Sequence, residues 1–319
     1  MRFAFTSDQL AFRDATRDLL ARECPPAAVR AAWTSETGRS VTAWPALAAM
    51  GALGALAPEA AGGLGLGFVD LVLVLEETGY VALPDPIVEH AAVAMPLLLA
   101  PALAAAGERT VTAALDGSGL AVWADTADLV LVDAGDALAV AAREDLALSP
   151  RHSVDGARRL FGVGPVPAAA ARVVDPAAFE RGALGAAAQL LGLTRRLLDL
   201  TIGYVRERRQ FGVPVGSFQA VKHHLADARL ALEFAAPLVY RAASSLTTGD
   251  AGAALHVSMA KAQAGDAAHL TGRAALQCHG AMGYSFEYDL HLYLKRAWAL
   301  AAAWGDAAWH RARVGRAIL

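Results

Sequence analysis

Apolar residues recur along this chain at two spacings, and the change from one to the other divides it into three stretches. Near the start, Leu10, Phe12, Thr16, Leu19 and Leu20 fall broadly on one face of a helix. Thr6 and Gln9 form a capping box ahead of it, Phe5 and Leu10 can close a hydrophobic staple, and Pro25-Pro26 stops it. Residues 44–55 predict a second short helix and 68–79 a third. The most apolar run, 91–107, is broken by Pro96 and Pro101 and is short for a membrane span, so a buried core helix is expected there. After Gly107 the runs shorten. Residues 110–115, 119–124, 129–132 and 137–142, punctuated by Gly117, Gly119, Asp133 and Gly135, predict strands of a small β-domain. From Pro176 the helical period returns over 176–209, 217–248, 251–278 and 288–319, with Gly212, Gly249 and Gly280 at the junctions. Long helices joined by short turns predict an antiparallel four-helix bundle. The fold class expected is mainly α with a small β-domain: an N-terminal helical domain over 1–107, a middle β-domain over 108–176 and a C-terminal bundle over 177–319. The small residues Ala186, Ala187, Ala188 and Gly192 mark close helix contacts, within the bundle or between chains.

Composition narrows the function classes. Hydrophobic residues make up 55% and charged residues 18% of 319, which favours a large buried core over disorder. A net charge of -3 offers no basic field for nucleic acid. Cys24 and Cys278 form no ligand-spaced cluster and read as reduced thiols, with no metal site. Asp8, Arg13, Asp14, Arg17 and Asp18 interrupt the first twenty residues, so these do not read as a secretory signal. A cytoplasmic protein without a membrane span is expected. The glycines of 58–67 are not a dinucleotide loop, because no strand precedes them and no acidic residue follows at the end of a second strand. They read as a loop permitting close backbone approach.

The stretch 206–227, RERRQFGVPVGSFQAVKHHLAD, carries the most distinctive chemistry. Arg206, Arg208 and Arg209 crowd one helix end, where cations are favoured by the helix dipole. A guanidinium fork also suits a pyrophosphate, and both readings stay open on the residues alone. Gly212 and Pro214 make a tight turn, and Ser217 can cap the next helix.

The run Arg-Gln-Phe-Gly-x-Pro, then Phe-Gln, then His-x-Leu-Ala-Asp resembles the C-terminal bundle of the flavin-dependent acyl-CoA dehydrogenases. Two further stretches resemble the same family: Pro58-Glu59-Ala60-Ala61-Gly62-Gly63-Leu64-Gly65 followed by Glu76-Glu77, and Gln277-Cys278-His279-Gly280 followed by Ala281-Met282-Gly283. Ala281 stands where the family has glycine, and Lys295-Arg296 replaces its Arg-Asp. The resemblance implies that the two bundle turns lie along the FAD of a neighbouring subunit. It places Arg208, Gln210, Phe211, Gln219, Gln277 and Gly280 against the adenosine and pyrophosphate of that cofactor. It also implies an acyl-CoA substrate and electron-transfer flavoprotein as acceptor. Residues 155–163 resemble the strand by which the family returns to its bundle. Asp155 and Arg158 can pair there at the surface, an interaction worth little. His279, with no metal-spaced partner, reads as a packing residue.

Two departures shape the functional reading. The middle β-domain is reduced, with no Thr-Glu-Pro…Gly-Ser-Asp segment between Glu108 and Pro176 to hold a flavin ring. The family's catalytic carboxylate is also missing. Counting onward from Gln277 puts one branch's base at Trp304, and counting back from Arg208 puts the other branch's base at Gly182. Asp306 and Glu180 each lie two residues away, which on a helix turns them to another face; they are weak candidates for an unorthodox base. The combination fits a base-less subunit of a heteromeric α2β2 acyl-CoA dehydrogenase, serving a catalytic partner with a steroid or other bulky acyl substrate. The alternatives are a self-sufficient FAD enzyme, active as a homo-oligomer, and a non-enzymatic helical scaffold or binding protein.

Overall fold

The computed structural model describes residues 4–97 and 107–319. Helix α1 (Ser7–Glu23) opens on the expected capping box: Thr6 Oγ1 accepts the Gln9 N–H at 3.2 Å and Gln9 Oε1 accepts the Thr6 N–H at 2.9 Å. The proline pair ends α1, yet Pro26 also begins an unanticipated helix, α2 (Pro26–Thr34). Proline at a first helical position gives up an N–H that would be unbonded anyway and brings its φ preset. Helix α3 (Ala43–Ala49) ends earlier than expected, and α4 is Phe68–Tyr80. Within the apolar run, Val88–Ala94 is wound as a π-helix and fully buried. The rest of the core helix expected over 91–107 falls mainly on 98–106, outside the described residues.

Strands β1 (Val111–Ala114), β2 (Leu120–Val122), β3 (Leu129–Asp133) and β4 (Leu138–Ala142) lie where the apolar runs place them. The short strands β5 (Leu148–Arg151) and β7 (Ala171–Val173) escaped notice because arginine and proline break their apolar pattern. Strand β6 (Leu160–Val163) is only the second half of the stretch 155–163; the first half turns, with the Arg158 N–H bonded to the Asp155 carbonyl at 3.2 Å. The strands form two small sheets, ordered β1-β3-β4-β7 and β2-β6-β5. The expected surface pair of Asp155 with Arg158 is not formed. Asp155 is buried, and its carboxylate accepts from the Arg296 guanidinium in the bundle, which also donates to the Leu83 carbonyl at 2.6 Å.

The bundle comprises α5 (Ala178–Glu207), α6 (Gln219–Thr248), α7 (Ala253–His279), α8 (Leu290–Ala302) and α9 (Ala307–Ile318). The last two were expected as one helix. The break comes at Trp304 and Gly305, both at positive φ. Ser217 does not cap α6: its hydroxyl donates to the Pro214 carbonyl at 2.7 Å, and the N-cap position is Phe218. Among the described residues no helix is long and apolar enough to cross a membrane.

Helices α4 and α5 meet backbone to backbone. A Cβ on Gly192 would stand 1.9 Å from the Glu76 carbonyl oxygen, and one on Gly79 would stand 2.1 Å from the Gln189 carbonyl oxygen. Of the small residues singled out on α5, Gly192 serves contact with the N-terminal helix α4. A charge clamp closes the same seam. Arg195 of α5 reaches Glu76 at 2.7 Å and Glu77 at 2.8 Å, Arg17 of α1 reaches Glu77 at 2.8 Å, and the Tyr240 hydroxyl of α6 donates to Glu76 at 2.8 Å.

This seam distinguishes two glycines of one helix. Gly192→Ala should destabilise the fold by about 1–3 kcal/mol or more, the usual cost of overpacking, because both neighbours are backbone atoms. Gly203→Ala, in the same helix with nothing within 4 Å of a new Cβ, should stabilise it by roughly 0.5–1 kcal/mol. Urea unfolding of the two variants checks this, and equal effects would reject the seam.

Candidate functional site

Helix α5 ends at Glu207, and its next residues fold back on themselves. Strands β8 (Arg209–Gln210) and β9 (Val213–Pro214) pair antiparallel across a two-residue loop, Phe211-Gly212. Both loop residues have positive φ, 51° and 80°, as a tight hairpin of the primed type requires. Glycine adopts that conformation freely; Phe211 does so at a cost and holds its ring 91% exposed, edge-on to Phe218 at 6.2 Å between centroids. Arg208, Gln210 and Gln219 are exposed around the same turn. Among the described residues the Arg206 and Arg208 guanidinium groups make no hydrogen bond or ion pair.

The second turn lies at the same end of the bundle. Helix α7 ends at His279, and Gly280 follows at φ 57°. Tyr204, near the end of α5, stacks on His279 at 4.3 Å and hydrogen-bonds its carbonyl at 3.4 Å, tying the two helix ends together. His279 is buried, held below its ordinary pKa by desolvation, and bonded through Nδ1 to the Ala275 carbonyl at 2.8 Å. It packs rather than reacts. Gln277 is exposed and lines an open groove of about 480 Å³ between α6 and α7, with His224, Asp227 and Arg273. The chain therefore brings all six residues singled out for the cofactor to one exposed end. An unpaired guanidinium, three amide side chains and a glycine corner are the kinds of group that suit the pyrophosphate and adenosine of a dinucleotide.

The two positions counted from these turns for a catalytic base meet in space. A Cβ on Gly182 would come within 2.4–2.5 Å of Cζ3, Cε3 and Cη2 of Trp304. The indole lies over the bare glycine backbone, 4% exposed, beside Phe179 at 6.0 Å. Its Nε1–H donates to Glu89 Oε1 at 3.4 Å. Trp304 sits at φ 57°, a conformation that persists only where the surroundings over-determine it. Here its N–H is bonded by Asp116 at 3.3 Å and its carbonyl by His310 Nε2 at 2.9 Å. The Lys261 ammonium donates to the Ala301 and Gly305 carbonyls at 3.1 and 2.8 Å. Burial brings Lys261 down to about 7, with Asp306 and Asp116 opposing, and brings His310 down to about 4.

The neighbouring carboxylates have structural partners. Asp306 is exposed and accepts the Trp309 N–H at 2.8 Å as the N-cap of α9. Glu180 is buried and held by both arms of Arg313, at 2.5 and 3.1 Å. Sequence reading missed Glu89, Arg158 and Lys261, which surround the Trp304 loop. Glu89 lies on the π-helix, a winding that often marks functional positions, and burial pushes its carboxyl up against the pull of Arg158. The available signals were a carboxylate just ahead of the most apolar run and one of only three lysines.

Comparison with known proteins relates the chain to one family. Residues 6–117 match the acyl-CoA dehydrogenase N-terminal domain and residues 172–319 the C-terminal domain. The chain is 30% identical over 295 residues to the acyl-CoA dehydrogenase IpdE2 of Mycobacterium tuberculosis, covering 89% of each chain. It is 31% identical to IpdE2 of Mycolicibacterium smegmatis, covering 89% of this chain and 90% of that one. Its fold matches a chain of the ChsE4-ChsE5 complex of Mycobacterium tuberculosis with a TM-score of 0.86 at 24% identity, over 99% and 98% of the two chains. A chain of the Tcur3481-Tcur3483 steroid ACAD matches with a TM-score of 0.87 at 25% identity, over 97% of each.

The buried lysine sets a pH dependence. A folded-state value near 7 against 10.5 unfolded means the unfolded chain holds the extra proton between them. Stability therefore rises with pH across that window, and the cost is fully present below it. Relative to Lys261→Met, the unfolding free energy of the wild type should climb from pH 7 to pH 9 by up to about 1.4 kcal/mol per unit. A difference that stays flat over that range would reject the assignment.

Proposed function

We propose a role that starts from an established premise: the chain belongs to the acyl-CoA dehydrogenase family. It acts as a subunit of a flavin-dependent acyl-CoA dehydrogenase that supports FAD binding by a catalytic partner and performs no proton abstraction itself. The observation that carries this reading is the packing of Trp304 on Gly182. Removal of the α-proton of an acyl thioester needs a positioned base, worth roughly 10²–10⁴-fold. The two places where the family keeps a base hold an indole and a hydrogen, each filling the volume the other leaves.

The bundle end supplies the supporting half of the reading. Arg208 would engage the pyrophosphate, Gln210, Gln219 and Gln277 the polar edges of the cofactor, and Phe211 and Gly280 its flanks. Bound FAD supplies the acceptor for the hydride leaving the β-carbon. Leu230 and Phe234 of α6 and Tyr284 and Phe286 beyond α7 are all exposed, an apolar surface suited to a partner chain. The partner fits a base-bearing acyl-CoA dehydrogenase subunit, with α2β2 the expected assembly and electron-transfer flavoprotein the expected acceptor. A steroid side chain or other bulky acyl group is the substrate class favoured by the likeness to a steroid ACAD. A self-sufficient enzyme is disfavoured by the engagement of Glu180 with Arg313 and of Asp306 with the α9 N-terminus.

The test is flavin absorbance and oligomer mass of the purified chain, alone and co-expressed with its catalytic partner. Alone it should be colourless; the complex should be a yellow heterotetramer that loses flavin when Arg208→Ala is introduced. A yellow homo-oligomer with one FAD per chain would overturn the proposal, and a complex indifferent to Arg208→Ala would remove the bundle end from the cofactor site. Asp306→Ala should leave turnover of the complex unchanged while costing about 0.5–2 kcal/mol of stability through the lost cap, read by thermal melting.

A further inference from the structure

A cleft of about 250 Å³ opens between the small sheets and the end of α8, next to the Trp304 loop. Asp116, Ser118, His152, Ser153 and Arg158 line it together with Ala302 and Ala303. Arg158 is only 9% exposed. Among the described residues its guanidinium makes no hydrogen bond and no ion pair within 4 Å. Other cations nearby have protein partners, although Arg296 leaves its Nη2 without one. Arg296 is bonded to Asp155 and the Leu83 carbonyl, Lys261 to two carbonyls, and Arg39 to Asp85 at 2.8 Å.

The Arg158 side chain is nearly buried, yet none of its nitrogens is sealed from the cleft, so its unused donors are open to whatever enters there. The carboxylates nearest to Arg158 are already engaged. Glu89 accepts the Trp304 indole N–H. Asp116 takes the Ser118 N–H and hydroxyl on one oxygen and the Trp304 N–H on the other. Glu89 and Asp116 temper the positive charge of Arg158 without filling its hydrogen-bonding fork.

We propose that this cleft is a binding site for a small aliphatic carboxylate gripped by Arg158. A planar guanidinium presents two parallel donors that match a carboxylate's two oxygens. The remaining walls include Leu120, Val154 and Leu160, which suit a short alkyl tail and give no reason to prefer a fully hydrated anion. The volume is below the roughly 300–1,000 Å³ of sites for drug-sized ligands, which sets the acid as a short one. The site is independent of the bundle-end cofactor surface and does not depend on the subunit role.

Isothermal titration of the full-length chain with butyrate and hexanoate tests the site, with 1-hexanol and inorganic phosphate as controls. The acids should bind saturably, hexanol should not bind, and phosphate should bind more weakly than either acid. Arg158→Leu should lower hexanoate affinity by about tenfold or more, and Arg158→Lys, which keeps the charge and loses the fork, should fall between. Ala302→Phe fills the cleft from an exposed position with Arg158 intact, and it decides the matter if Arg158→Leu fails to fold. Absence of saturable acid binding, unchanged affinity in Ala302→Phe, or phosphate binding as tightly as hexanoate would overturn the proposal.

Discussion

The approach of α4 to α5 is the constraint on which the rest of the arrangement rests. Two glycines let the helices touch through their backbones, Gly79 against Gln189 and Gly192 against Glu76. Glu76 and Glu77 are then carried into a buried seam. Burial pushes Glu76 up and disfavours its charge, while Arg195 and the Tyr240 hydroxyl offset that cost. Through these contacts α1, α4, α5 and α6 are held in one frame, and α5 is fixed along its length. Its far end then presents Arg208 and the hairpin, and its near end places Gly182 beneath Trp304.

The two ends of α5 thus have different chemistry. At the C-terminal end, polar and aromatic side chains are displayed with few internal partners, and the positive φ of Phe211 is maintained although its ring touches little of its own chain. At the N-terminal end many polar groups around Trp304 are consumed internally, Arg158 excepted. Asp116, Lys261 and His310 each bond the backbone around Trp304. On the proposed reading, the first end meets a partner's cofactor and the second fills from within the place where a base would act.

Much of this was legible in the sequence because it depends on local rules. The capping box at Thr6, the glycine corners at 212, 249 and 280, and the alternation of β3 and β4 follow from neighbours a few residues apart. The two positions counted for a base, 182 and 304, follow from the resemblance and from helices and short turns preserving spacing. Their contact could not be foreseen, since it joins α5 to the α8–α9 break, and that break needed a tryptophan at positive φ where periodicity favoured one continuous helix. The pairing of Asp155 was missed for a similar reason. Arg158 is its neighbour in sequence, but the turn at 155–158 aims the carboxylate at Arg296, 141 positions away. Partners separated by that distance leave no local trace.

The fit of Trp304 to Gly182 also bears on how such a chain can change over time. Any side chain at position 182 collides with the indole, and any small side chain at position 304 leaves a hollow over a bare glycine. The two sites are therefore epistatic: each constrains the other, and neither can be exchanged alone without strain or a void. A carboxylate could be placed at either position only by way of a poorly packed intermediate. If the chain is base-less, as proposed, the pairing works as a ratchet that makes that state easier to keep than to leave.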